Sequence, residues 1–332
     1  MGEASAPHGF GGYIYEEIAD PAGRGMLWPR RDKVAFTRRA LAEVSVERGL
    51  AGPVAASLIV RGRIAPDHRV ACEITLWRDA PWAELAYTLR KPRTATPEAV
   101  YIAFPFHAPP LRAEIVGGLL EPGRGQIPRS AMDWHAIQDY VLAGTPGGLA
   151  AWVTHDAPLV QFGAINTGKY LDMLAPAAPV VYSWPINNYW FTNFPAEQGG
   201  EFRFRYSVGA PADDAAGHRF AKERVAFART AVAPPRRAGA LPAEGASLLQ
   251  GDECLHFVKP AEDGGGFVLR FRNLSAAPRT AAARFSPLLR IAGMRGVDVL
   301  EQPAEVDFVW RDGTLTVPLA PHAAAEIMAI VP

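Results

Sequence analysis

Cysteine is nearly absent: Cys72 and Cys254 are the only two in 332 residues. They sit far apart, in different expected domains, so no disulfide framework organises this chain. Cys72 shares an alternating face with Ile74 and Leu76, which makes a buried free thiol the expectation. No apolar stretch reaches the roughly 18 residues that a bilayer span requires, and no amino-terminal run resembles a signal peptide. The expected location is therefore cytoplasmic, with no membrane partner. A surplus of either charge is also missing, because 34 Lys and Arg balance 34 Asp and Glu. Nucleic-acid surfaces need a basic excess, so no nucleic-acid partner is expected. Only five of the 34 basic residues are Lys, a bias of composition rather than of function.

Several chemical motifs are missing too. The eight histidines lie singly, without an H-x-H, H-E-x-x-H or H-x-D pattern, whereas zinc needs clustered ligands. No G-x-S-x-G nucleophile elbow occurs. The stretch GAINTGKY, residues 163–170, fits G-x-x-x-x-G-K. A phosphate loop would follow it with Ser or Thr and a helix; Tyr170 and a proline-rich LDMLAPAAP follow here, which excludes that reading.

What is present is turn chemistry and alternation. Gly and Pro number 31 and 30 and are spread along the chain, the mark of many short strands. ACEITLWRD and WAELAYTLRK alternate on either side of a turn, so residues 70–91 read as a β-hairpin. AVYIAFPFHAP is a continuous apolar run, as in a strand buried on both faces. GLAAWVTHD, APLVQFGAI and GEFRFRYSV add strands, the last with Phe202, Phe204 and Tyr206 on one face and Arg203 and Arg205 on the other. DWHAIQDYVLA fits a short helix or a strand. One helix is expected over 214–231, opened by an Asp pair. Residues 233–246 form a Pro/Gly/Ala-rich linker. Beyond it, CLHFVKP, GFVLRFRNLS, TAAARFSP, VDVLEQP, VDFVWRDG, TLTVPLAP and AAEIMAIVP read as a second, smaller β-sandwich. The expectation is a mainly all-β chain: a large sandwich over 1–232, the linker, and a small sandwich over 247–332.

Two stretches stand out chemically. YSWPINNYWFTNFPAEQGG, residues 182–200, crowds aromatic rings beside Asn187, Asn188 and Asn193. Flat rings beside amides suit a sugar, whose faces are apolar and whose edge is hydroxyl; they equally suit a buried loop. MDWHAIQDY sets Asp133, Trp134 and His135 side by side. Among carboxylates that flank strands, Asp133, Asp139, Asp156 and Asp172 are weak candidates for glycoside chemistry, since such residues more often form turns. In a plain binding module Trp134, Tyr189 and Trp190 are the candidate sugar platforms; the expected arrangement is a mixed one, with Tyr189 and the two preceding asparagines at a sandwich edge and Trp190 and Phe194 as buried anchors. His135 with Asp133 or Glu201 is the acid–base pair to suspect in an independent enzyme.

AVYIAFPF, EIVGGLLEPGRGQIPRSAMDWHAIQDYV, GLAAWVTHDAPLVQFG and NNYWFTNFPAEQGGEFRFRYSV, in that order, resemble the carboxy-terminal half of glycoside hydrolase family 38, the α-mannosidases. VKPAEDGGGFVLRFRN resembles that family's small terminal β domain, and the likeness runs from about Val54 to the end. The resemblance implies a large galactose-mutarotase-like sandwich followed by a smaller one. Family members place a zinc-binding catalytic barrel ahead of this region, with an H-x-D motif and both catalytic carboxylates; the sequence here has neither. The resemblance therefore implies no cofactor in this chain, zinc only in a barrel, and no hydrolase activity for the chain by itself. Its expected partners are a mannose-containing glycan and a catalytic barrel domain or subunit, or a second copy. Trp134, Asn187, Asn188, Tyr189, Trp190 and Asn193 fall on family stretches that wall the cleft or meet the barrel. A stand-alone epimerase or lyase and a plain carbohydrate-binding module are the alternative readings.

Overall fold

The computed structural model describes residues 8–18, 36–116, 118–189, 195–229 and 247–332; the expected linker over 233–246 lies outside them. The chain divides into two compact units, one ending at Arg229 and one running from Thr230 to Pro332. Both are built from antiparallel sheets, with one helix among the described residues.

The first unit opens with β1 (Gly12–Ile18), β2 (Phe36–Ala40), β3 (Ala42–Ala51), β4 (Ala55–Ala65) and β5 (His68–Trp77). It continues with β6 (Ala80–Lys91), β7 (Glu98–Pro105), β8 (Ala108–Ile115), β9 (Gly118–Leu120) and β10 (His135–Ala136). β11 (Tyr140–Thr145), β12 (Gly148–Thr154), β13 (Leu159–Phe162), β14 (Val180–Asn187) and β15 (Gly200–Gly209) complete it, ahead of α1 (Asp214–Arg229). Six strands form one sheet in the order β10-β13-β14-β7-β1-β2, and nine form the other in the order β3-β4-β5-β6-β15-β12-β11-β8-β9.

The alternation read from the sequence sets the faces. Tyr87 opposes Phe204, and Leu85 opposes Tyr206, on the inner face of the larger sheet, where they meet Phe104, Val100 and Ile102 of β7. β7 is buried along almost its whole length, as its unbroken apolar run requires. Arg205 points outward and binds Asp156 through Nε and Nη2. DWHAIQDYVLA resolves into strands, β10 and the start of β11. The helix α1 is capped by Asp213, whose Oδ1 accepts from Ala216 N at 2.7 Å. Its Ala221 and Val225 cover Tyr140, Leu142, Ala151 and Val153 on the outer face of β11 and β12. Lys222 ties the helix down by donating to Glu114 at 2.9 Å and Asp139 at 2.6 Å.

The smaller sheet does not cover all of the larger one. Along one row of opposed residues, Tyr206 is 1% and Leu85 4% exposed, Ile74 is half-buried, and Leu58 is 49% exposed. On the same face Val46 and Leu76 are 61% and 58% exposed. The inner face of β3, β4 and the end of β5 is thus open and largely apolar, with Arg48 on β3 opposite Leu58 at the end of the row.

The second unit contains β16 (Leu249–Gly251), β17 (Leu255–Pro260), β18 (Gly266–Arg272), β19 (Arg279–Phe285), β20 (Gly293–Val297), β21 (Val309–Arg311), β22 (Thr314–Leu319) and β23 (Ala324–Ile330). Two four-stranded sheets, β16-β19-β22-β21 and β17-β18-β23-β20, enclose Leu269, Phe271, Ala283, Leu315, Val317 and Ile327. VDVLEQP is a turn beyond its first residue rather than a strand, because Asp298 Oδ1 accepts from the backbone N–H of both Leu300 and Gln302 at 2.9 Å. Both cysteines are buried free thiols, pushed up to about 11 chiefly by burial.

Candidate functional site

Asn187, Asn188 and Tyr189, at and just after the end of β14, are buried, which corrects their expected place at a sandwich edge. Tyr189 is 1% exposed, and its hydroxyl donates to Glu16 Oε1 at 2.6 Å. Glu16 is itself buried and receives Arg38 Nε at 2.6 Å. A buried phenol is tolerated once its polar tip has such a partner. Asn188 holds the strand ends together: Oδ1 accepts from Glu98 N at 2.6 Å, and Nδ2 donates to the carbonyls of Thr94, Thr96 and Ala196 at 3.0–3.2 Å. Asn187 is buried opposite Ala99, and its Oδ1 finds no partner among the described residues. None of these three presents a sugar platform at an edge. Trp190, Asn193 and Phe194 lie outside the described residues.

Asp133, Trp134 and His135 diverge despite being consecutive, since neighbours on an extended chain point to opposite faces. His135 opposes Val160 in β10–β13 and faces the space between the sheets, edge-on to Phe162. Gln126 takes a bond from Gly123 N at its Oε1 and so turns its amide nitrogen to His135 Nε2, 3.0 Å away. That assignment puts the imidazole proton on Nδ1, which finds no partner among the described residues. Burial holds this imidazole below its ordinary value; it is neutral with its basic lone pair occupied. Trp134 faces the other way, edge-on to Trp184 at 5.8 Å; Trp184 in turn stacks on Tyr101 at 5.8 Å.

Asp133 is buried, and both of its oxygens are used: Oδ2 accepts from Tyr170 N and Oδ1 from Leu171 N, each at 3.0 Å. The carboxylate therefore joins the 129–134 segment to the 168–172 segment. Between them lies a pocket of about 330 Å³ lined by Arg129, Ser130, Met132, Trp134, Tyr170 and Asp172, among others. Arg129 and Tyr170 hold left-handed backbones, φ +65° and +53°, and Tyr170 is 48% exposed. At the rim Arg129 pairs with Asp172, Nε to Oδ1 at 3.4 Å. Sequence reading missed Tyr170 and Arg129; the one available signal was a large aromatic directly after the Gly168-Lys169 turn. That turn is no phosphate cradle, because Thr167 N–H donates to the Gln161 side chain and Lys169 Nζ donates to Asn166.

Glu201 is not brought to His135. It is the second residue of β15, is exposed, and shares an outward face with Arg90, lining a separate hollow with Asp67, Arg90, Lys91 and Arg93. The larger sheet itself stands between the two side chains. Behind that hollow, buried Lys91 pairs with buried Glu98, and Tyr15 donates to Glu98 Oε2 at 2.5 Å. His68 shares a 2.8 Å bond with Tyr13; burial, then nearby Lys91 and Arg39, push it down to about 4.

Among the described residues no helix is long and apolar enough to cross a membrane. No family model matches the sequence, and no curated protein matches it. Solved structures do. An α-mannosidase from Enterococcus faecalis V583 superposes with a TM-score of 0.58 at 12% identity, over 96% of this chain and 38% of its own. A glycosyl hydrolase family 38 protein from Enterococcus faecalis gives 0.59 at 13% identity, over 95% and 40%. The chain thus spans well under half the length of these neighbours, and the likeness reaches ahead of Val54, where the sequence resemblance begins. Its fold is that of part of a family 38 α-mannosidase, an all-β sandwich arrangement.

Proposed function

We propose that this chain serves as the non-catalytic, carbohydrate-associated β-sandwich region of an α-mannosidase-like glycoside hydrolase, docking on a catalytic domain and helping to wall its glycan cleft. The observation that carries the reading is the open inner face of the larger sheet, where Val46, Leu58 and Leu76 stand more exposed than buried side chains of their row. Apolar faces of this kind are covered in a working assembly. The fold neighbours are α-mannosidases more than twice as long as the part matched, so the occupant of choice is the catalytic domain of such an enzyme. Zinc and the catalytic carboxylates belong, in this proposal, to that domain, and a mannose-containing glycan is the ligand of the assembly. The independent-enzyme reading loses its acid–base pairs, because Asp133 is spent on backbone N–H groups, His135 Nε2 on Gln126, and Glu201 faces outward.

The test is the association of the purified chain. Left without its partner, the wild type self-associates through the open face as concentration rises, and Leu58→Glu with Leu76→Glu renders it monodisperse without lowering the melting temperature. A wild-type chain that stays monomeric at every concentration in sedimentation velocity removes the docking role. Turnover of an aryl α-mannoside by the chain alone, lost on mutating one of its own carboxylates, removes the non-catalytic one.

A further inference from the structure

We propose that the pocket between Trp134 and Tyr170 is a subsite for a single neutral pyranose ring of a glycan. The choice of a sugar rests on the carbohydrate-associated role above; the pocket itself does not. At about 330 Å³ it lies in the range of small-molecule sites, roughly 300–1,000 Å³. Two aromatic side chains line it, and one is fixed in advance. Trp134 abuts Trp184 at 5.8 Å, and Trp184 stacks on Tyr101 with an interplanar angle of 11°. A platform so braced loses little freedom on binding. The opposite wall is held by Asp133, whose two bonds to the N–H groups of Tyr170 and Leu171 fix that segment.

The rim narrows the ligand class. A vicinal pair of hydroxyls both donates and accepts, and the Arg129 guanidinium beside the Asp172 carboxylate offers one partner of each kind. An anion would meet two carboxylates, Asp133 and Asp172, against one guanidinium already paired. A purely apolar ligand would leave the rim pair desolvated and unanswered. A neutral ring with an apolar face and a hydroxyl edge satisfies both walls. The backbone adds a second line of argument. Arg129 and Tyr170 occupy left-handed conformations that glycine adopts without penalty, yet both positions carry large, exposed, binding-type side chains. Strain retained at two facing positions of one pocket marks a place where the side chain is needed.

The same strain supplies clean variants, since Tyr170→Gly and Arg129→Gly each remove the side chain while relieving the backbone. The intact chain is titrated with methyl α-mannoside and other methyl pyranosides, with tetramethylammonium and inorganic phosphate as controls, by tryptophan fluorescence and saturation-transfer NMR. Saturable binding of a methyl pyranoside, weakened at least about tenfold by either variant with no loss of melting temperature, is the expected result. No saturable binding of any pyranoside, equal binding by Tyr170→Gly, or tighter binding of tetramethylammonium overturns the subsite. Association through Leu58 and Leu76 with no sugar binding removes this subsite and leaves the docking role, whereas sugar binding lost in Tyr170→Gly by a strictly monomeric chain does the reverse.

Discussion

One aromatic cluster on the smaller sheet is treated in opposite ways at its two ends, since Tyr189 and Trp134 both pack on Trp184. Tyr189, after β14, is sealed against Glu16, while Trp134 and Tyr170, beside the edge strand β10, border open space. Both ends combine rings with polar groups within hydrogen-bond reach. The difference lies in where the polar groups spend their bonds. Around Tyr189 most are consumed by the protein, one phenol by one carboxylate and one amide by four backbone groups, and Asn187 Oδ1, which has no partner among the described residues, is buried away from water. Around Trp134 the interior carboxylate is consumed, but the rim pair of Arg129 and Asp172 remains in water. Composition does not separate rings that border open space from rings sealed in a core; the fate of the neighbouring polar atoms does.

The sharpest way to break this comparison is Tyr189→Ala. If Tyr189 is core, the change removes a buried ring and one of the bonds to Glu16, at a cost of about 3–5 kcal/mol in denaturant unfolding; an unchanged midpoint would place Tyr189 at a working surface after all. The next effect is one of pH. His68 stays neutral in the folded chain because its value is lowered from 6.5 to about 4, whereas the unfolded chain takes up a proton near 6.5. Its contribution to stability is therefore fully present above pH 6.5 and is lost as pH falls toward 4. His68→Gln should flatten the stability profile across that window, and a parallel profile would mean that another buried group governs it.

Asn188→Ala comes third. It leaves the Glu98 N–H and three carbonyls without their amide, which costs about 1–3 kcal/mol and should raise amide exchange at Glu98 before it moves the midpoint. The smallest effect is expected at the open end. Tyr170→Gly relieves a left-handed backbone but adds chain entropy, so stability should stay within about 1 kcal/mol of wild type. A large loss there would show that the ring is a packing element and would dissolve the contrast with Tyr189.

Much of the fold was legible because it rests on period-two patterning. The hairpin over 70–91, the doubly buried β7, the division of Phe204 and Tyr206 from Arg203 and Arg205, and a helix beginning at Asp214 all follow from local alternation and capping. The site was less legible. Whether Tyr189 faces water depends on Glu16, 173 positions away, and no local pattern encodes that bond. Tyr170 carries no motif: its exposure and its left-handed φ come from the turn that precedes it and from Asp133, 37 positions away. Glu201 and His135 looked compatible in one dimension, and only the sheet assignment separates them.

β2 ends at Ala40 and β3 begins at Ala42, so a single residue, Leu41, carries the chain from the smaller sheet to the larger one. The corner is tight, since an added Cβ at Gly62 would lie 2.9 Å from Leu41 Cβ. One uninterrupted stretch of backbone thus belongs to both layers, as a thread stitched through two cloths. The open end of the larger sheet is thus one residue along the backbone, Leu41, from the layer that carries Glu16 and Arg38.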